Sequence, residues 1–282
     1  MHPIFVELEL FGHPIAIGSY GLCLAVALLA IAILSARSAH RLGCDWALAL
    51  ASVGYAMPIG LFSAMLLYWL IGGIQEGWNW KAIASRGVGL VFYGSIPGAL
   101  IGSYLPARWF RLPWLRILEA SIPAFAGAHA IGRIGCFLGG CCYGAPWNGP
   151  WAVRSTHSLA PMAHPSVWRH PVQIYESLGL IAIGFVFALV PQDEPRLGVI
   201  GSGRRIGSYA ISYGVLRLVI EWWRGDAIRG VFWRWGLSTS QLISILVIFV
   251  GAWLWRRGSP YPSHITTELL STDLPNSDQA LH

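Results

Sequence analysis

The segment AHAIGRIGCFLGGCCYG, at residues 128–144, decides how this chain must fold. It begins inside an apolar run, yet it contains Arg133, a histidine, three cysteines and five glycines. A charged side chain at membrane depth costs about 2.5–3.5 kcal/mol on insertion scales, so it faces the protein interior and meets a partner or a substrate. Glycines let a backbone or a ligand approach closely. Because a guanidinium fork matches phosphate oxygens, the segment favours a buried phosphate site around Arg133.

The same segment also has structural interpretations. Glycine-rich apolar segments are common on the packing faces of membrane helices, and a buried arginine can pair with a glutamate of another helix. Cys136, Cys141 and Cys142 have no second Cys/His pair at zinc-finger spacing, so we expect no metal site. We expect these cysteines to serve as packing residues or to form a disulfide at an oxidising face.

The composition is that of an integral membrane protein. Hydrophobic residues make up 55% of the chain and charged residues 11%, whereas soluble domains average about 25% charged residues. Long apolar runs predict helices, since a membrane β-barrel would show alternation over about ten residues. The net charge of +6 indicates basic loops beside anionic lipid heads and argues against a nucleic-acid partner.

The apolar runs predict an all-α integral membrane fold, a bundle of about seven transmembrane helices with a small extracytoplasmic head region. The predicted spans cover residues 14–35, 47–74, 88–105, 117–138, 172–190, 206–223 and 238–255. We expect residues 1–257 to form a single polytopic domain and the polar residues 258–282 to form a disordered cytoplasmic tail. The head region would include the loop at residues 143–170.

Two further motifs fall at the same predicted end as Arg133. The first is HPVQIYE, at residues 170–176, where a proline and a glutamate are typical of a helix start. A helix start does not account for the three polar residues His170, Gln173 and Tyr175 together. The second has Tyr213, Arg217, Glu221 and Arg224 at steps of four, four and three, which places them on one helix face.

A stripe of this kind within a membrane helix cannot face lipid. In the structural interpretation, Arg217 and Glu221 pair with each other, and this pairing offsets the free-energy cost of burying the two charges. Tyr93 and Tyr20 add hydroxyls in apolar surroundings, and His129 lies one turn before Arg133. For His129, a core histidine and a functional one are equally consistent with the pattern.

Together these groups describe a site for an anionic lipid head group. A pore would need polar residues along its whole length, and a transporter of the inverted-repeat class would show internal repeats. We find neither pattern in the sequence.

The motifs resemble those of the bacterial prolipoprotein diacylglyceryl transferase family. GRIGCF at residues 132–137, with Gly144 after it, resembles the family signature. Residues 170–176 resemble its second motif, and residues 213–226 its third. SxSQxIS at residues 238–244 resembles the segment that opens the last helix, and Tyr20-Gly21 fits the first helix. The resemblance covers the chain up to about Arg257.

The resemblance implies transfer of a diacylglyceryl group from phosphatidylglycerol to the lipobox cysteine thiol of a preprolipoprotein. The products would be a thioether and glycerol phosphate, with no cofactor and no metal. The partners would be phosphatidylglycerol, the preprolipoprotein signal peptide and membrane lipids, at the bacterial cytoplasmic (inner) membrane. The candidate catalytic residues are Tyr93, His129, Arg133, His170, Arg217 and Glu221. The candidate substrate-binding residues are Tyr20, Gly132, Gly144, Gln173, Tyr175, Glu176, Tyr213 and Arg224.

The chain departs from the family pattern at several positions. Many members carry Asn where Cys136 stands, Glu where Cys141 stands, and His-Gly-Gly where this chain has Tyr93-Gly94-Ser95. Many also carry an arginine in the second helix, where residues 58–68 have none. The form GCF…GCCYG is typical of a sub-branch.

These departures leave the general base open among Tyr93, His129, His170 and Glu221. A neutral histidine is the best match by intrinsic pKa. Because the acceptor brings its own thiol, we expect none of the three cysteines to be the nucleophile. The alternative functions are a lipid-binding or lipid-transferring protein with another acceptor, and a non-catalytic family member.

The distribution of basic residues predicts the orientation in the membrane. The positions behind the first, third, fifth and seventh predicted spans hold ten arginines, whereas the opposite loops hold seven lysines or arginines. By the positive-inside rule, the N-terminus and residues 143–170 lie outside and the C-terminus lies in the cytoplasm. A reporter that is active only in the cytoplasm should therefore work when fused to the C-terminus and fail when inserted at residues 155–166. The reverse pattern would contradict this topology.

Overall fold

The computed structural model describes residues 4–10, 13–75, 77–79, 81, 91–154, 167–191, 201–225, 231–232 and 237–258. This part of the chain is mainly helical. Its helices are α1 (Ser19–Arg41), α2 (Trp46–Gln75), α3 (Phe92–Trp109), α4 (Trp114–Ala120), α5 (Ile122–Gly139), α6 (Val172–Leu189), α7 (Arg204–Glu221) and α8 (Thr239–Arg257). Two antiparallel hairpins accompany them, β1 (Ile4–Leu10) with β2 (His13–Gly18), and β3 (Val231–Phe232) with β4 (Leu237–Ser238).

The predicted all-α membrane bundle is confirmed. Five of the described helices, namely α1, α2, α5, α6 and α8, are long and apolar enough to cross a membrane. α3 and α7 are also 18 residues long, but α3 contains two prolines and α7 carries several charges. The predicted count of seven spans stays a prediction, as does the disordered tail, whose residues 259–282 lie outside the described residues.

Two predicted boundaries are wrong for identifiable reasons. The first helix begins at Ser19 and not at residue 14, because the preceding residues, rich in alternating isoleucines, pair as β2 with β1. The fourth predicted span is divided at Ser121 into α4 and α5. Pro123 lacks the backbone N–H that would continue the hydrogen-bond ladder to residue 119, so the helix is interrupted there.

Small residues allow the helices to pack closely in neighbouring pairs. A methyl group added at Gly98 of α3 would lie 2.6 Å from the carbonyl oxygen of Ile59 in α2. A glycine at this position therefore allows the two helices to pack closely. Gly207 of α7 and Gly251 of α8 face each other in the same way, with each added methyl 2.6–2.8 Å from the other glycine's oxygen. α1 contacts both α2 and α5, and α6 lies between α5 and α7.

Charged side chains cap the helices at the end of the bundle where α7 begins. Glu119 is fully buried and accepts hydrogen bonds from the backbone N–H groups of Gly201, Arg205 (3.1 Å) and Ile206 (3.3 Å). Arg205 donates to the carbonyl oxygens of Phe187 and Pro191 near the end of α6, at 3.1 and 2.9 Å. Each charge therefore meets the helix end of opposite polarity, and satisfies backbone groups that the helices leave unpaired.

This arrangement predicts that Glu119→Ala destabilises the protein. The substitution would leave buried N–H groups without an acceptor, and each such group costs about 1–3 kcal/mol. We expect a lower melting temperature in detergent, with Glu119→Gln between Ala and wild type because the amide keeps one acceptor oxygen. A Glu119→Ala protein that melts with the wild type would show that water replaces the carboxylate without loss.

Candidate functional site

A buried carboxylate joins the two arginines predicted from the sequence. Glu176, in the first turns of α6, is 1% exposed. Its Oε1 lies 2.9 Å from Nη2 of Arg133 on α5, and its Oε2 lies 3.7 Å from Nη1 of Arg217 on α7. Three helices thus contribute one charge each to a single cluster, which we call the arginine cluster.

Arg217 is held further by the start of α8. Its Nη2 lies 3.1 Å from Oε2 of Glu221 and donates a 3.1 Å hydrogen bond to Oγ of Ser240. The hydroxyl of Ser238 donates to Oε1 of Glu221 at 2.6 Å. Ser238 also caps α8 in a reciprocal capping box with Gln241. These contacts therefore hold the beginning of α8 against the end of α7 around Arg217.

With Glu221 included, the arginine cluster balances two positive charges with two negative ones. Some guanidinium N–H donors nevertheless have no acceptor in the part of the chain that the structure describes. Among the described residues, Nε of Arg133 and both Nε and Nη1 of Arg217 are buried and have no hydrogen-bond acceptor. Buried donors of this kind are rare in native proteins and call for an explanation. The side chain of Arg133 is 14% exposed and that of Arg217 is 4% exposed, so Arg133 is the one that a ligand can reach.

An aromatic group lies against the arginine cluster. The ring of His129 lies 5.3 Å from the ring of Tyr213, and Tyr213 stacks at 6.4 Å on Tyr209. The electrostatic environment of Tyr213 includes Glu176, both arginines and Tyr93. The structure therefore places His129 and Tyr213 beside the charged residues, with Tyr93 near Tyr213.

The turn after α5 positions the predicted signature residues. Gly140, with φ of 71°, ends the helix in a turn closed by hydrogen bonds from Cys141 to Cys136 and from Gly140 to Phe137. This pair of bonds is the Schellman pattern, in which glycine is favoured because the backbone is left-handed. Gln173 of α6 donates to the carbonyl oxygen of Cys141 at 2.7 Å. Gln173 therefore holds this turn against α6.

The turn also gathers the thiols of Cys136, Cys141 and Cys142. Their sulfur atoms all lie within 4.8 Å of one another, and all three are free thiols. Hydrogen bonds from the other two thiols and the nearby charges of Arg224 and Arg133 lower the pKa of Cys142. Cysteine spacing did not indicate this convergence, because it depends on the left-handed turn.

A second group, which we call the head group cluster, contains four further candidates: Gly144, His170, Tyr175 and Arg224. His170 stacks on Trp147 with ring centroids 4.3 Å apart, and its Nδ1 lies 3.4 Å from the hydroxyl of Tyr175. Burial lowers the pKa of His170 below its ordinary value. The ring of Tyr175 meets that of Trp223, 6.3 Å away, just beyond α7.

Backbone contacts account for Gly144 and Arg224 in this second cluster. Gly144 forms a β-bridge with Arg224, and a methyl group at Gly144 would collide with the carbonyl group of His170. Glycine is thus required there by packing. A methyl at Gly132, by contrast, would meet no described atom within 4 Å, so among the described residues the space beside this part of the backbone is open.

Tyr20 lies close enough to the three thiols and to Arg133 to interact with them electrostatically. It is 36% exposed, and its ring packs beside Gly135 of α5. Asp226, at the end of the third sequence motif, lies outside the described residues.

Sequence reasoning missed several residues that build the site. In the sequence, Ser238 and Ser240 belong to the segment that resembles the start of the family's last helix. The spacing of Ser238 and Gln241 also fits a capping box, which the structure contains. Nothing in the sequence marks Trp147 and Trp223 as site residues, since a tryptophan in a loop is equally expected at a membrane interface.

Comparison with known proteins decides the family. The family described as prolipoprotein diacylglyceryl transferase matches residues 6–257. The chain belongs to the prolipoprotein diacylglyceryl transferase family. The resemblance seen in the sequence motifs is therefore confirmed over nearly the whole length that they covered.

Individual members of the prolipoprotein diacylglyceryl transferase family match along most of the chain. The phosphatidylglycerol–prolipoprotein diacylglyceryl transferase of Clostridium tetani is 34% identical over 252 residues, which are 89% of this chain and 96% of that protein. The protein of the same name from Finegoldia magna is 32% identical over 198 residues, 70% of this chain and 73% of its own. Phosphatidylglycerol–prolipoprotein diacylglyceryl transferase 2 of Clostridium perfringens is 29% identical over 250 residues, 93% of its length.

The charge balance of the arginine cluster predicts an order of stability. Glu176→Gln would leave Arg133 without its carboxylate partner, and breaking a buried ion pair on one side costs about 3–5 kcal/mol. Glu221→Gln should cost less, because Arg217 keeps Glu176 and Ser240. Thermal unfolding in detergent measures both. If Glu176→Gln melts no earlier than Glu221→Gln, Glu176 is not the carboxylate that neutralises the cluster.

Proposed function

We propose that this protein transfers a diacylglyceryl group from phosphatidylglycerol to the cysteine thiol in the lipobox of a preprolipoprotein signal peptide. The observation that supports it is the pair of arginines at the site, of which Nε of Arg133 and both Nε and Nη1 of Arg217 are buried and have no acceptor among the described residues. A phosphodiester supplies acceptor oxygens in the spacing that guanidinium groups match. The names of the relatives point to the same two substrates.

In this proposal, Arg133 contacts the phosphate of the lipid. It is the more exposed of the two arginines, and the open space beside Gly132 leaves room for a ligand. Its guanidinium stabilises the negative charge that builds up on phosphate oxygens as the ester bond breaks. Arg217 is a positioning residue, since Glu176, Glu221 and Ser240 hold it on several sides.

The reaction itself forms a C–S bond and breaks a C–O bond. The acceptor thiol loses its proton, because the thiolate is the nucleophile. Its sulfur attacks the glyceryl carbon that carries the phosphate, and the bonding electrons leave with the phosphate oxygen as glycerol phosphate. The proton lost by the thiol balances the one that the released phosphate takes up.

In this proposal, the contacts of the four candidate bases favour two of them as the group that accepts the thiol proton. Glu221 is occupied by Arg217 and Ser238, so we assign it to positioning. His170 belongs to the head group cluster. His129 and Tyr93 are the candidates that share the surroundings of Tyr213 beside the arginines.

The proposal extends to location. The apolar helices support a multi-pass membrane protein, and we infer that the arginine cluster and the head group cluster face the outer side of the bacterial cytoplasmic membrane. Preprolipoproteins present their lipobox there, so the thiol would reach the site from that side.

This function predicts the effect of replacing the arginines. Arg133→Ala should lower the rate of transfer by about 10²–10³, the usual cost of removing one charge-stabilising donor. Arg133→Lys should restore little, because an ammonium group offers a point charge and no planar fork. Arg217→Ala should also lower the rate of transfer strongly, because Glu176, the partner of Arg133, loses the second arginine that positions it. The measurement is the mass shift of a lipobox peptide incubated with phosphatidylglycerol and the purified protein.

The matched control is Arg108→Ala, an exposed arginine at the end of α3. It should transfer at the wild-type rate. Wild-type turnover by a normally inserted Arg133→Ala protein would refute the assignment of Arg133, and a wild-type protein without any transfer would refute the proposed function.

A further inference from the structure

The three thiols at the end of α5 have the arrangement of a metal-binding group. Cys136 lies in the last turn of α5, and Cys141 and Cys142 follow the turn at Gly140. Cys142 has a φ of 56°, unusual for a residue with a side chain. All three sulfur atoms lie within 4.8 Å of one another.

The spacing is close to that of a tetrahedral thiolate site. Zn–S bonds of about 2.3 Å place two sulfur ligands about 3.8 Å apart. Three sulfurs within 4.8 Å need to approach one another by about an ångström at most, which side-chain rotation can supply. Zinc sites with three protein ligands keep their fourth position open for water or substrate.

The surroundings suit a three-thiolate complex. Three thiolates and one divalent cation carry a net charge of −1, and Arg133 and Arg224 both lie close enough to act electrostatically on the thiol of Cys142. Cys136 is buried, whereas Cys141 and Cys142 are half-buried. The site is therefore shielded on the α5 side and accessible on the side of the turn.

We propose that Cys136, Cys141 and Cys142 bind one soft divalent cation of the Zn²⁺ class through three thiolates, with the fourth position open to the thiol of the acceptor peptide. The role of the fourth position rests on the proposed transferase function, whereas the three-thiolate site does not. In this arrangement the acceptor thiol loses its proton when its sulfur binds the metal, and the metal-bound sulfur then attacks the glyceryl carbon. The cation is neither oxidised nor reduced, and the released proton is balanced at the departing phosphate.

Such a site would supply a reactive thiolate at neutral pH without a histidine base. Coordination lowers the pKa of a bound thiol far enough that it is deprotonated outright.

The test uses the purified full-length protein, reduced and freed of metal under anaerobic conditions. Co²⁺ reports on zinc sites, because thiolate ligands give it an intense charge-transfer absorption. We expect one Co²⁺ per chain with that absorption, displaced by Zn²⁺. Cys136→Ser, Cys141→Ser and Cys142→Ser should each weaken binding at least tenfold. Cys44→Ser is the matched control and should bind like the wild type, since Cys44 lies between α1 and α2.

A second measurement does not depend on the variants folding. Zn²⁺ should raise the melting temperature of the wild type and of Cys44→Ser, because a ligand that binds the folded state stabilises it. Wild-type protein whose reduced form shows neither the absorption nor the shift would overturn the metal site. So would a disulfide among the three cysteines in protein isolated from membranes with thiols blocked at lysis.

The final measurement separates this inference from the proposed function. A lipobox peptide added to the cobalt-loaded protein should change the absorption, whereas a peptide with serine in place of the cysteine should not. Protein that transfers lipid but binds no metal overturns the metal site and leaves the proposed function standing. Protein that binds cobalt but transfers no lipid overturns the function and the role of the fourth position, and leaves the three-thiolate site standing.

Discussion

The contact of one carboxylate with two arginines is the constraint on which this structure depends. Glu176 lies between Arg133 and Arg217, and each of the three charges comes from a different helix. None of them could be buried alone, because removing an unpaired ion from water costs several kcal/mol. α5, α6 and α7 must therefore meet at this level for the three charges to be buried together. Packing by small residues brings the helices close, but the charges determine where along their length they meet.

The same principle governs the opposite end of the bundle. There Glu119 caps the beginning of α7, and Arg205 caps the end of α6. Both Nη atoms of Arg205 donate to backbone carbonyl oxygens and only its Nε lacks an acceptor, whereas Arg217 lacks acceptors for both Nε and Nη1 among the described residues. Arg205, 2% exposed and bonded to two carbonyl oxygens, holds the fold, whereas the side chain of Arg133 is 14% exposed and can meet a ligand.

The sequence was most informative where an unusual residue type stood in an apolar run. Arg133, Arg217 and Glu176 could be placed in one site because charges within membrane helices must face each other, and helical periodicity placed Tyr213 on the same side. The capping role of Glu119 could not be predicted, because it depends on contacts with a distant segment. The hairpin of β1 and β2 and the interruption at Ser121 have local causes, in the alternating isoleucines and in Pro123. The thiol cluster depends on a single left-handed turn at Gly140, and its cysteine spacing alone suggested no metal site.

Charge balance also determines how the site can recognise an anion. With two arginines facing two carboxylates, the cluster has little net charge to attract a phosphate over a distance. Recognition must come from short-range hydrogen bonds to the guanidinium groups that lack acceptors, in a setting where water competes poorly. Such bonds depend strongly on direction, so the site distinguishes ligands by the arrangement of their oxygens more than by their total charge. A diester phosphate, with two free oxygens on one face, suits one guanidinium fork, and the neighbouring carboxylates would repel a ligand with further negative charges.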